Sequence, residues 1–156
     1  MRKYLLKIFT KHLLFNVIKY FYKPSYQRIK LSDLATCPSG SLGKATLSFL
    51  EINQFELFHG YEVHDLKHVL LNYQTDLFGE IEMQFFELGN GNKSISVLMV
   101  VIAVLVLCPD GILRYISSYK RGKSSRPLIK IKLENCLHMN LSELQSQLEP
   151  FRISNK

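Results

Sequence analysis

Two histidines four residues apart, His64 and His68, with Asp65 beside the first and Glu80 after eleven further residues, constrain this chain more than any other feature. At about 100° per helical residue, His64, Asp65 and His68 fall within a single arc of a helix surface. Glu80 lies beyond an expected helix break at Tyr73 to Asp76, so a second, antiparallel helix could bring it back over the same pocket. Imidazole nitrogen and carboxylate oxygen together suit a divalent cation, zinc first, with manganese or ferrous iron the other options when carboxylates supply half the ligands. The expected metal set is therefore His64, Asp65, His68 and Glu80. Asp65 has two readings, as a ligand or as the carboxylate that accepts a histidine N–H and fixes its tautomer.

Two histidines at this spacing are usually surface groups or satisfied core groups. The full pattern, H-D-x-x-H with a glutamate at a fixed distance, should arise by chance on the order of once in several thousand chains of this length, which favours a site. The sequence resembles the coenzyme Q biosynthesis protein 4 family, whose members carry the same spacing of His, Asp, His and Glu. The resemblance continues in Ser41-Leu42-Gly43-Lys44-Ala45 with Phe49-Leu50, in Gly79-Glu80-Ile81 leading to Phe86-Glu87, and in Arg126-Pro127-Leu128 before a polar terminal helix. It covers roughly residues 34 to 150 and is that of a bacterial-type single-domain member or a paralogue. The chain departs from the family's arginine-rich approach to the motif, where it has Gln54-Phe55-Glu56-Leu57-Phe58-His59-Gly60-Tyr61.

A length of 156 residues suits one domain. Apolar residues at 47% and charged residues at 21% mark a globular chain, and 10 Phe with 8 Tyr are enough to line a greasy pocket. Cys37, Cys108 and Cys136 are odd in number and widely spaced, which suggests buried free thiols in a reducing compartment. The net charge of +7 fits either nucleic acid or an anionic membrane, and no nucleic-acid-binding motif accompanies it. Basic residues gather in the first 23 positions and between Lys120 and Lys132, mixed with Phe, Tyr and Leu, which suits a lipid headgroup surface. The longest apolar run, Val97 to Cys108, falls short of the roughly 20 residues a spanning helix needs and reads as a buried helix. Neither a transmembrane segment nor an export signal is expected.

Helical periodicity predicts a basic amphipathic helix over residues 2–22, stopped by Pro24, that rests either on the core or on a membrane. Residues 1–23 are set apart from a helical domain over 24–156. Ser41 should cap a helix to about Asn53, Tyr61 to Asn72 should carry the motif, and Thr75 or Asp76 should cap the helix bearing Glu80. The apolar run is β-branched, but it has no evident pairing partner and is read as helix. A short strand over Ile129 to Leu133 is a minor option. Asn140 with Glu143 predicts a capped last helix ending before Pro150. The fold class is all-α, a single multi-helix domain of six to seven helices.

The resemblance implies a membrane-peripheral helical domain that handles a polyprenylated quinone precursor at the metal. What the resemblance implies includes replacement of a ring carboxyl group with hydroxyl, so one option is a metal-dependent oxidative decarboxylase of a prenylated hydroxybenzoate; whether the chain is an enzyme is left open by the sequence. No catalytic residue is assigned apart from the metal ligands. Phe85, Phe86, Val97, Val101 and Leu105 are candidates for an isoprenoid site, although each is more simply core. The alternative is a non-catalytic isoprenoid carrier or a scaffold for other quinone-biosynthesis enzymes. The expected partners are the isoprenoid lipid, a membrane surface, those enzymes and a second copy in a homodimer, but not nucleic acid. The expected location is cytoplasmic, on the inner face of the membrane. A metal-dependent phosphohydrolase would need a further upstream histidine and a distal aspartate, and the Pro-Asp-Gly setting of Asp110 reads as a helix cap instead.

Overall fold

Polar side chains at the helix starts set the architecture. Ser41 Oγ accepts the Lys44 N–H at 3.2 Å, Asp76 Oδ1 accepts that of Gly79 at 2.8 Å, and Asn140 Oδ1 accepts that of Glu143 at 3.2 Å. Each satisfies one of the amide donors that a helix start leaves without an intrahelical partner. In the computed structural model, which describes residues 29–58 and 60–149, these caps open three of the seven α-helices found among the described residues. In chain order the helices are α1 (Leu31–Ala35), α2 (Leu42–Asn53), α3 (Glu62–Leu71), α4 (Leu77–Gly89), α5 (Ile95–Leu107), α6 (Ile112–Ser124) and α7 (Leu141–Leu148). No strand is present among the described residues, so the fold is all-α as expected. The segment proposed as a minor strand forms two 3-10 turns instead, Leu128–Lys130 and Leu133–Cys136. The expected N-terminal helix, and His59, lie outside the described residues.

The helices gather into two compact units. One holds residues 29–73 and 125–149 and is built around α2 and α3, with Leu34, Leu42, Leu50, Leu66 and Leu71 essentially sealed from solvent. The late part of the chain is tied to the early part by backbone bonds. Leu42 N–H donates to Met139 O at 3.0 Å, Gly43 N–H to Leu137 O at 2.8 Å and Leu141 N–H to Gly40 O at 2.9 Å. The Gln145 side-chain amide donates to Leu70 O at 3.0 Å, which holds α7 against the C-terminal end of α3.

The other unit, residues 74–124, is built by α4, α5 and α6. Helices α4 and α6 approach so closely that a Cβ at Gly89 would lie 2.1 Å from Tyr119 O, and one at Gly122 would lie 2.1 Å from Phe86 O. Glycine at both positions is therefore a packing requirement, and Asn90 Nδ2 donates to Gly122 O at 3.0 Å across the same contact. Ile81, Phe85, Val97, Val100, Val101, Val104, Cys108 and Tyr115 form the unit's core, with the Phe85 and Tyr115 rings stacked at 4.9 Å. Phe85, Val97 and Val101 are thus core residues, as the simpler reading had it, whereas Leu105 is 43% exposed. The apolar run is helical in spite of its β-branched residues, but only one of its faces is buried; Ile102 and Val106 face outward.

Candidate metal centre

His64 and His68 stand one turn apart on α3, and their rings meet edge to face with centroids 4.7 Å apart. Their Nε2 atoms are 3.1 Å apart. His68 is buried at 2% exposure, stacked on Phe49 at 5.9 Å, and its Nδ1 lies 3.1 Å from Tyr73 O. A carbonyl oxygen can only accept, so Nδ1 carries the proton and, in the neutral ring, the Nε2 lone pair faces His64. The Tyr61 ring also meets His64 edge to face, at 6.5 Å.

The chain turn after α3 determines where Tyr73 O goes. Asn72 adopts the left-handed conformation (φ 56°, ψ 46°), a role that suits asparagine among the non-glycine residues, and Tyr73 N–H then donates to His68 O at 3.2 Å. This turn brings Tyr73 O round to the imidazole. Asp76 then caps α4, and Gly79 in its first turn lets the backbone of Gln74 come within 2.1 Å of where a Cβ would sit. Glu80 follows directly, in the first turn of α4, where the amide dipoles favour an ionised carboxylate.

One ligand atom each from His64, His68 and Glu80 lie within 4.8 Å of one another. Ligands about 2.1 Å from a tetrahedral cation stand about 3.4 Å apart, and the two imidazole Nε2 atoms, at 3.1 Å, are near that separation. Two neutral imidazoles and one carboxylate fit zinc with an open fourth position, and equally the two-histidine, one-carboxylate set of non-haem iron. The donor chemistry therefore fits the implied cation. Asp65 shares α3 but is not part of this trio, and it has interactions of its own. Sequence reasoning missed three contributors to the site: Phe49, the Tyr73 carbonyl and the left-handed Asn72. Only Asn72 left a sequence signal, an asparagine at the end of a helical pattern.

The family model for the coenzyme Q (ubiquinone) biosynthesis protein Coq4 matches residues 57–153, which is more than half of the chain and includes all four motif residues. The chain belongs to the Coq4 family. Curated Coq4-family relatives include the mitochondrial ubiquinone biosynthesis protein COQ4 homologues of Drosophila yakuba, 26% identical, and of Danio rerio, 25% identical. Each match covers 77% of this chain and 53% of the relative, so the chain spans about half the length of these proteins. The Mus musculus homologue is 31% identical over a shorter stretch, 40% of this chain and 30% of its own. A crystal structure from Nostoc punctiforme, of a protein described as belonging to ubiquinone biosynthesis, superposes with a TM-score of 0.59 at 21% identity. It covers 96% of this chain and 81% of the other, which shows that the two share a fold.

Proposed function

We propose that this Coq4-family chain is a metal-centred protein of ubiquinone-type quinone biosynthesis, holding one divalent cation on His64, His68 and Glu80 and taking a polyprenylated aromatic precursor beside it. The observation that carries this reading is the pair of Nε2 atoms 3.1 Å apart, with the other nitrogen of His68 committed to Tyr73 O. A cation bound there would supply Lewis-acid polarisation; exchanging a ring carboxyl for hydroxyl also consumes an external oxidant such as dioxygen, which a redox-active cation would engage and zinc would not.

The chain's own residues do the rest. The Tyr73 carbonyl keeps the proton of His68 on Nδ1 and so keeps its Nε2 unprotonated, with a lone pair able to ligate. Phe49, stacked on the His68 ring, restrains its rotation. Glu80 contributes one negative charge, which with two neutral imidazoles leaves a dication site at net +1 and complements one carboxylate on an aromatic substrate. Asp65 is proposed as the further carboxylate of the set, either orienting His64 or joining it on the cation. Zinc is the first choice on ligand type, followed by iron or manganese.

The test is a Glu80→Gln variant, purified and shown to be folded, assayed for turnover of a prenylated hydroxybenzoate alongside lipid extraction and mass spectrometry. The enzyme reading expects turnover to fall by about 100-fold or more. Unchanged turnover contradicts it, and bound isoprenoid with no dependence on Glu80 would assign the protein to the carrier class instead.

A further inference from the structure

Helix α5 carries two apolar stripes at helical spacing on opposite faces. Val97, Val100, Val101 and Val104 point into the core of the 74–124 unit. Ile95, Leu98, Met99, Ile102 and Val106 repeat the same spacing on the other face, where Ile95 is 64%, Ile102 63% and Val106 75% exposed. A helix that is apolar all round normally has both faces covered, and this second face carries no charge at all. Beyond the Cys108–Pro109 break the chain turns through 103° into α6. There the exposed stripe starts apolar, at Leu113 and Ile116, and ends basic, at Lys120 and Lys123.

Charge complementarity identifies the partner. Residues 91–124 contain five basic residues (Lys93, Arg114, Lys120, Arg121 and Lys123) against a single acid, Asp110, and Arg114 is ion-paired with Glu82. Lys93 precedes the apolar face, and Lys120 and Lys123 follow it, with the half-exposed ring of Tyr119 beside them. Apolar side chains bordered by lysine and tyrosine match the boundary between acyl chains and anionic headgroups, where lysine stems lie along apolar surface and their ammonium groups reach phosphate. A second copy of this face would bring like charges together. No single helix among the described residues is long and apolar enough to cross a membrane.

We propose that the outer faces of α5 and the start of α6 are a docking surface for an anionic lipid bilayer, with Ile102 and Val106 inserted among the acyl chains and Lys120 and Lys123 on the headgroups. This assignment does not depend on the metal centre. It places the contact on the apolar run itself, not on the N-terminal segment or on the basic stretch alone.

The test is flotation of the full chain with vesicles of phosphatidylcholine, with and without phosphatidylserine. The wild-type chain should float with the anionic vesicles, less so in high salt. Ile102→Glu combined with Val106→Glu should reduce the bound fraction by about tenfold or more with an unchanged thermal melt, because both side chains are already exposed. Lys120→Glu with Lys123→Glu, which leaves the apolar face intact, should abolish the preference for anionic vesicles. Ile52→Glu, at an 81% exposed position on α2, should float as the wild type does. Three results would overturn the proposal: a wild-type chain that stays in solution, an Ile102/Val106 variant that floats normally, or a variant whose only change is conversion of a dimer to monomer.

Discussion

His68 faces His64 with Nε2 to Nε2 at 3.1 Å while its own Nδ1 is held 3.1 Å from the carbonyl of Tyr73. The two contacts are linked. A proton kept on Nδ1 is a proton kept off the nitrogen that points at the neighbouring imidazole, so the backbone bond prepares the ring for a cation before one arrives.

That preparation runs through the conformation of Asn72. Its left-handed backbone (φ 56°) is open to glycine without strain and is costly for a β-branched side chain. Asn72→Val is expected to lose about 1–2 kcal/mol of folding stability and to weaken metal binding by about 10-fold, whereas Asn72→Gly should bind metal close to the wild-type level. Urea melts and competitive metal titration of the two variants check this. Equal affinities would show that the Tyr73 carbonyl does not govern His68.

Tyr115 separates size from polarity in the core of the 74–124 unit. Its ring is fully buried against Phe85, and burial of its hydroxyl, with the Cys108 thiol beside it, raises its pKa well above the usual phenol value. The hydroxyl has no nitrogen or oxygen partner among the described residues. Tyr115→Phe should therefore change stability by less than about 1 kcal/mol, while Tyr115→Ala should cost about 3–5 kcal/mol. Denaturant unfolding of both variants measures the contrast.

The cysteines give a pH dependence of known sign. Burial raises the pKa of Cys37 from 9.0 and likewise that of Cys136, where Glu134 adds to the effect. The folded chain thus retains thiol protons that the unfolded chain releases, so this contribution to stability is complete below the ordinary thiol pKa and declines as pH rises above it. Cys37→Ala with Cys136→Ala should flatten the fall in urea midpoint between neutral pH and pH about 9.5. In the native wild type at neutral pH, all three buried thiols should resist a disulfide reagent until denaturant is added.

Much of this structure could be read from local signals. Ser41, Asp76 and Asn140 were legible as caps because a short polar side chain before an apolar pattern has one favourable use. The motif residues His64, His68 and Glu80 were legible for a different reason: residue types that ligate metals stood at a helix spacing. What could not be read were relationships made by the folded backbone. The Tyr73 carbonyl carries no side-chain signature, and the stacking of Phe49 on His68 joins residues nineteen positions apart. The outward face of α5 escaped for a third reason. An unbroken apolar run has no polar stripe to mark which side meets the core, so length and composition pointed to complete burial although only half the helix is covered.

Metal analysis of the purified full chain tests the central claim most directly. After incubation with zinc or ferrous iron under exclusion of oxygen and then removal of excess ion, the wild-type chain should retain about one equivalent. His64→Ala and Glu80→Gln should each lower affinity by about 10-fold or more while leaving the helical circular dichroism unchanged. A wild-type chain that retains neither metal, or a Glu80→Gln variant that retains it as tightly as the wild type, would contradict the assignment of His64, His68 and Glu80 as a metal centre.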